Sequence, residues 1–556
     1  MRTISPLLLL LILFPAAYAQ HEHEHQTSPT ATLFSGLGNH HHAVYTNSAE
    51  AQKFFDQGLT FIYAFNHDEA TRSFKRAAEL DPHMAMAYWG IALSVGPNYN
   101  MDVDAEREKQ AHAAIQKALE SIKAAEKKST SGSSKQIALD RGYIEALAKR
   151  YSGEAKPDYK KLAVSYKNAM GELVKRFPDE LDAATLFADS AMALRPWKLW
   201  TPDGKPAEGT DEIIATLESV LKRNPNHIGA IHFYIHAVEA SPDPGRALAY
   251  APHLPGLVPS AGHLVHMPAH IYIRTGNYEA AAKSNADAAE ADQAYIQATK
   301  AQGMYPLMYY SHNLHFLAVA SAMEGKQAES MKAAGKLESY LTPFVKSAPM
   351  LDAFMSTGAL LRVRFHKWDE IEHAPDPDKN LPVTYALTHF AKGMAKAATG
   401  DISGAAAELN IVNQGAKALP AAAGAGNNRA SDIVKVAALV LDARIAFAKG
   451  DKNDAEALYR KAAAAEDALA YDEPPGWYLP VRESLGGVLI SQGKFADAEK
   501  VFRDDLARHP KNPRSLFGLH EALIRQHNDK AAAAVKKEFE AAWKHADSSL
   551  KIEDLY

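Results

Sequence analysis

From residue 47 onward, apolar side chains recur at intervals of three and four, the spacing that lines one face of a 3.6-residue helix. Ala, Leu, Glu and Lys dominate, and alternating β-branched runs are almost absent, so the pattern predicts an all-α chain. Within it, "AEAQKFFDQGLTFIYAFNHDEATRSFKRAAELDP" places small residues at Gly58, Ala70 and Ala77, aromatic residues at Phe61 and Phe74, and Pro82 at the end. Small residues let two antiparallel helices approach closely. The phenylalanines fill the space between pairs, and proline stops the second helix.

The scheme returns with Leu485, Gly486, Gly493, Ala498, Phe502 and Pro510, and again with Gly450, Ala455, Tyr459 and Ala462. Fainter copies turn at Gly276 before Ala281, at Gly325, and at Gly400 before Ala405, and a last pair runs from Leu516 to about Ala546. This spacing is that of the tetratricopeptide repeat, so the expected fold is an all-α, tetratricopeptide-type helix-turn-helix solenoid. The turn glycines stand further apart than one repeat, which predicts irregular inserted loops. Two stand out: residues 195–210, "RPWKLWTPDGKPAEGT", and residues 471–484, "YDEPPGWYLPVRES". Loops that present aromatic groups from a rigid scaffold commonly serve recognition, which makes Trp197, Trp200, Trp477, Tyr478 and Arg482 candidates for binding a peptide or other ligand.

The first residues, "MRTISPLLLLLILFPAAYAQ", combine Arg2, an apolar run from Leu7 to Phe14 and the small-x-small site Ala17-Tyr18-Ala19. They read as a cleavable signal peptide over residues 1–19, predicting a periplasmic or secreted protein. The apolar run is shorter than the ~20 residues that span a bilayer, and no later segment is long enough, so no membrane span is expected after cleavage. Residues 20–46 lack apolar periodicity and read as a flexible, His-rich leader carrying His21, His23, His25, His40, His41 and His42, a possible metal tract. The solenoid then occupies 47–556: N-terminal repeats over 47–200, His-rich central repeats over 210–345 and C-terminal repeats over 350–556.

Of the 556 residues, 61 are basic and 66 acidic, leaving a formal net charge of -5 and no basic field to attract nucleic acid. The chain contains no cysteine, so a metal would have to be held by histidine, carboxylate or backbone. Nine of its 25 histidines fall between residues 227 and 315.

His232 and His236 are about 40° apart around a helix, with Glu239 on the same face, and His312 and His315 are similarly adjacent. His263, His266 and His270 lie in "AGHLVHMPAHIYIRTGNYEAA", where Pro268 argues against one unbroken helix. If Pro268 begins the helix, His263 and His266 fall on the entering turn. Stacked repeats would bring these segments side by side in the concave groove. Ligands of one ion must lie within about 4 Å of each other, so an i, i+4 histidine pair completed by a neighbouring helix is expected, with other members orienting the ligands. The expected cofactor is a transition metal bound by His232, His236, His263, His266, His270, His312 and His315: zinc, copper or iron. Glu239 is the candidate general base if the site is catalytic. His67, beside Asn66 in "FNHDEA", is a remote further candidate, since turn and cap chemistry explains it. No nucleophile elbow, phosphate-binding loop or zincin motif is present.

The segments "AMAYWGIALSVGPNYN", "HFYIHAVEAS", "GHLVHMPAHIYIRTGNY" and "EPPGWYLPVRESLG", together with the first repeat, resemble a group of exported bacterial tetratricopeptide-repeat proteins with a histidine-rich central region. The resemblance covers nearly all of the mature chain. It implies an α-helical solenoid, a cell-envelope setting and a peptide or protein partner in the concave groove. Two functional expectations follow: a metal-binding solenoid with possible enzymatic activity, or a peptide-binding scaffold without catalysis.

Overall fold

The computed structural model describes residues 31–128 and 132–556. They form an all-α solenoid of antiparallel helix pairs, beginning with Ala49–Tyr63 and His67–Leu80 and ending with Pro513–Arg525 and Asp529–Ala542. The pairs start where the sequence supplies caps: the side chains of Ser48, Asn66, Asp158 and Asn277 accept the N–H of the third residue on, satisfying donors that each first turn leaves free.

Packing between pairs follows one device. The Phe74 ring lies in a seat between Gly58 and Gly90, where an added Cβ would come within 2.7 and 2.3 Å of it. At the other end of the chain Phe502 lies between Gly486 and Gly518, at 2.3 and 2.2 Å by the same measure. The turns at Gly276, Gly325, Gly400, Gly450 and Gly493 all have a left-handed backbone, which glycine adopts without strain.

Two large apolar cores result, one over Leu37–Ile271 and one over Ala318–Leu555. Between them lie smaller clusters around Phe316 and Leu337. The histidine-rich segments sit at this junction. Among the described residues, no helix is long and apolar enough to cross a membrane.

Residues 31–46 depart from the expected flexible leader. Phe34 packs edge-on against Phe61 with centroids 5.7 Å apart, Leu37 and Val44 are buried, and Ser260 N–H donates to the Gly36 carbonyl at 2.9 Å. The polar residues find fixed partners: His41 Nδ1 is 2.7 Å from Asp56 Oδ2, and the Tyr45 amide donates to Asp140 Oδ2 at 2.8 Å. The expected signal peptide, residues 1–19, and residues 20–30 with His21, His23 and His25 lie outside the described residues.

The two inserted loops also turn inward. Trp200 donates through Nε1 to the Ala237 carbonyl at 2.8 Å. Trp477 and Tyr478 are 2% and 7% exposed, and Arg482 is engaged by Asp467 at 2.9 and 2.6 Å. The aromatic rings of these loops are therefore packed inward, where large rings gain from burial.

Candidate metal centre

Helix Ile228–Val238 is buried on every side, which explains its nearly continuous apolar sequence, and it carries His232 and His236 inward. Glu239 follows at its C-cap. The next histidines arrive on two short helices, Gly262–His266 and Pro268–Arg274. Pro268 does begin a helix, where its missing N–H leaves nothing unsatisfied. His263 and His266, however, are helical and not on a turn, because Met267 keeps a helical backbone (φ -52°, ψ -35°) and joins the two pieces. His312 comes from helix Ser311–Met323, entered through the π-helical stretch Tyr305–Tyr310. That widened stretch lays Tyr309 against His263, ring centroids 4.8 Å apart.

Six of the seven predicted histidines converge as two triads. His232, His236 and His263 form one, and His266, His270 and His312 the other, with one ligand atom from each residue within 4.8 Å of the other two. Each is an i, i+4 pair completed by another helix. Three nitrogens held at ~2.0–2.1 Å from one ion in a tetrahedron stand about 3.3 Å apart. The contacts here are of that order: His232 Nε2 to His263 Nε2 at 3.1 Å, His266 Nε2 to His270 Nε2 at 2.7 Å, and His266 Nε2 to His312 Nε2 at 3.2 Å.

The seventh, His315, lies about 60° further round its helix than His312. That rotation takes it out of the cluster and against Phe354 and Tyr478, at centroid distances of 5.3 and 5.4 Å. His67 is also apart, half-buried and stacked on Phe65.

The surroundings fix the protons. His232 Nδ1 lies 2.6 Å from the Tyr63 carbonyl, an acceptor only, so Nδ1 carries the hydrogen. His236 Nδ1 and His270 Nδ1 donate to the two oxygens of Glu239, at 2.9 and 2.5 Å. His266 Nδ1 donates to Asn285 Oδ1 at 2.7 Å, and the amide orientation is set because Asn285 Nδ2 donates to the Ala281 carbonyl at 2.8 Å. In these four rings Nε2 therefore bears a lone pair. His266 and His270 then point two lone pairs at each other across 2.7 Å, a repulsive contact unless a cation lies between them. Protonation is a poor remedy: burial, reinforced by neighbouring imidazoles, pushes His232, His263, His266 and His312 well below the ordinary value of 6.5, and burial lowers His270 despite Glu239. His236 Nε2, in the first triad, is buried with no hydrogen-bond partner.

Glu239, the expected general base, faces the backs of two rings. Both its oxygens are occupied by imidazole N–H groups, and although burial pushes its carboxyl up, His236 and His270 hold it down at about 2. It joins the triads from behind.

A second histidine cluster surrounds Asp182, within reach of His40, His42 and His227. Its protons tell against a metal. His227 Nδ1 accepts the Ala230 N–H at 3.2 Å, so its hydrogen is on Nε2, 3.2 Å from Asp182 Oδ1. Tyr63 O–H donates to the same oxygen at 2.5 Å, and His42 Nδ1 approaches Oδ2 at 2.9 Å. Asp182 is saturated by donors, and Tyr63 joins it to the triads by giving its carbonyl to His232.

Of the loop aromatics, Trp197 reaches the site: its ring meets His236 edge-on at 5.5 Å, beside Tyr99 at 5.2 Å. Phe65 is a site residue that sequence reasoning missed. Its ring stands 4.5 Å from His232 and 5.3 Å from His263, and its backbone is left-handed (φ 54°). A bulky residue there is strained, and the signal was readable: Phe65 precedes Ala70 by the interval at which Gly276, Gly400, Gly450 and Gly493 precede Ala281, Ala405, Ala455 and Ala498. Asn285, in an alanine-rich helix, carries no comparable signal.

No family model and no curated protein matches this sequence. Solved structures with a similar chain path include the human IFIT1 dimer with m7Gppp-AAAA, 14% identical over 90% of this chain and 91% of that one, TM-score 0.30. Another is the APC/C hetero-tetramer Cut9-Hcn1, at 11% identity over 91% and 90%, TM-score 0.30. Yeast Tom70 is 12% identical over 89% and 93%, TM-score 0.28. These superpositions are loose, and the solenoid assignment rests on the helix pairs themselves.

Proposed function

We propose that this protein is an exported metalloprotein whose central repeats bind two ions of zinc or copper, one in each histidine triad. The observation that carries the reading is the pair of Nε2 lone pairs facing each other between His266 and His270 at 2.7 Å, with the hydrogens of both rings committed elsewhere. All six ligands are neutral nitrogens, a set that suits zinc and copper. Iron in a two-histidine, one-carboxylate site is disfavoured because Glu239 has no free oxygen to offer. Three protein ligands leave a further coordination position open, and an ion so held would polarise a bound carbonyl or lower the pKa of a bound water. Tyr63, Glu239 and Asn285 orient the ligands and raise their basicity, the usual work of groups behind a metal-bound imidazole. The signal-like N-terminus supports export.

Elemental analysis of protein purified without an affinity tag tests this. Two equivalents of metal per chain are expected, falling toward one in His266→Ala and unchanged in His41→Ala. A well-folded wild-type protein that neither contains nor takes up zinc or copper would exclude the reading.

A further inference from the structure

A cleft of about 320 Å³ lies not at the imidazoles but one helical turn beyond them, and is lined by Arg274, Tyr278, Tyr471, Glu473, Trp477 and Tyr478 among others. That volume is at the small end of those that hold organic ligands. Four of these six side chains are aromatic. Glu473 is 4% exposed; its Oε1 accepts the Tyr471 hydroxyl, and its Oε2 has no partner. Trp477 Nε1 is likewise buried without a partner.

The cations that line the cleft are committed elsewhere. Arg274 donates to the carbonyls of Glu239 and Ser241 at 3.0 and 3.3 Å. Arg508 pairs with Asp467 at 3.2 Å, and His509 with Asp505 at 2.9 Å. Asp472, also on the lining, is answered by the Asn427 amide at 2.8 Å and by no ion pair among the described residues. Asp472 and Glu473 therefore have no ion-pair partner among the described residues, and burial pushes Asp472 up to about 7 and Glu473 well above the usual carboxylate range.

We propose that this cleft binds an organic cation, an ammonium group on an apolar chain, with the ammonium donating to Glu473 Oε2 and the aromatic side chains enclosing the chain. A carboxylate within an aromatic lining is the chemistry that recognises such cations, since ring faces attract positive charge and apolar walls cover the hydrocarbon. The ammonium could belong to a free amine or to a lysine side chain of a peptide. The site is independent of the metal proposal, because none of the six imidazoles lines the cleft.

Isothermal titration calorimetry with n-pentylamine, n-pentanol and an uncharged-terminus peptide centred on lysine tests the proposal, on metal-loaded and on chelator-treated full-length protein. The amine or the peptide should bind at least tenfold more tightly than the alcohol, and Glu473→Gln should reduce that binding about tenfold or more, the effect of losing a charged hydrogen bond. Preference for the amine assigns a free small molecule, and preference for the peptide assigns a polypeptide. Binding of both amine and peptide no tighter than that of the alcohol, no binding of any probe, or full retention of binding by a folded Glu473→Gln variant would overturn it. Binding that survives chelation is expected, and its loss after chelation would overturn the independence of the cleft from the metal centre.

Discussion

At the scale of single residues, the centre depends on which ring nitrogen holds a hydrogen. Glu239 and Asn285 make that choice without facing the triads themselves. Glu239→Gln keeps the shape but offers one acceptor where two imidazole N–H groups need one each, so it should weaken metal binding in both triads. Asn285→Ala frees only His266 and should affect one triad. Losses of about 10- to 100-fold in affinity are expected, read by competition with a coloured chelator. Equal effects of the two substitutions on both sites would contradict the assigned hydrogen bonds. The histidines themselves were legible, since His232 and His236, and His266 and His270, stand at i, i+4. Their division into triads was not, because it depends on His263 and His312, which reach across helices 31 and 46 residues away. His315 shows the limit: the spacing that grouped it with His312 could not reveal that Phe354 and Tyr478 would take it.

At the scale of elements, the repeat was legible because its packing is local. Glycine and phenylalanine at fixed offsets specify one seat, and the chain uses it around both Phe74 and Phe502. Gly58→Ala and Gly486→Ala should each destabilise the protein by about 1–3 kcal/mol, since each new methyl meets a fully buried ring. Gly335→Ala, with nothing within 4 Å of the added atom, should not be destabilising. Urea unfolding midpoints distinguish these outcomes. The docking of residues 31–46 left no such local signal. Their partners Asp56, Asp140 and Asp182 lie up to 142 residues away, and hydrogen bonds to distant carboxylates leave no periodicity in the segment itself.

At the scale of the whole molecule, that docked segment gives the protein a pH dependence of definite sign. His42 is raised from 6.5 to about 9: burial works against its charge, but the hydrogen bond to Asp182, together with the nearby Glu180 and Asp140, outweighs it. Tyr143 and Phe55 close the remaining sides. A group raised in the folded state contributes stability that is complete below about 6.5 and is lost as the pH climbs through about 9. Hydrogen-exchange protection across residues 31–46 should therefore fall between those values, and Asp182→Asn should lower it already at pH 6. Flat protection over the range would show that the apolar contacts of Phe34, Leu37 and Val44 hold the segment alone.

The triads join four helices, Ile228–Val238, Gly262–His266, Pro268–Arg274 and Ser311–Met323, so bound ions would also tie the central repeats to one another. Crystals equilibrated with zinc or copper and measured at the metal's absorption edge test this most directly. Two anomalous peaks are predicted, one bonded to His232, His236 and His263 and the other to His266, His270 and His312, with Glu239 behind both. Peaks confined to surface histidines or to the Asp182 cluster, with no density between His266 and His270, would contradict it.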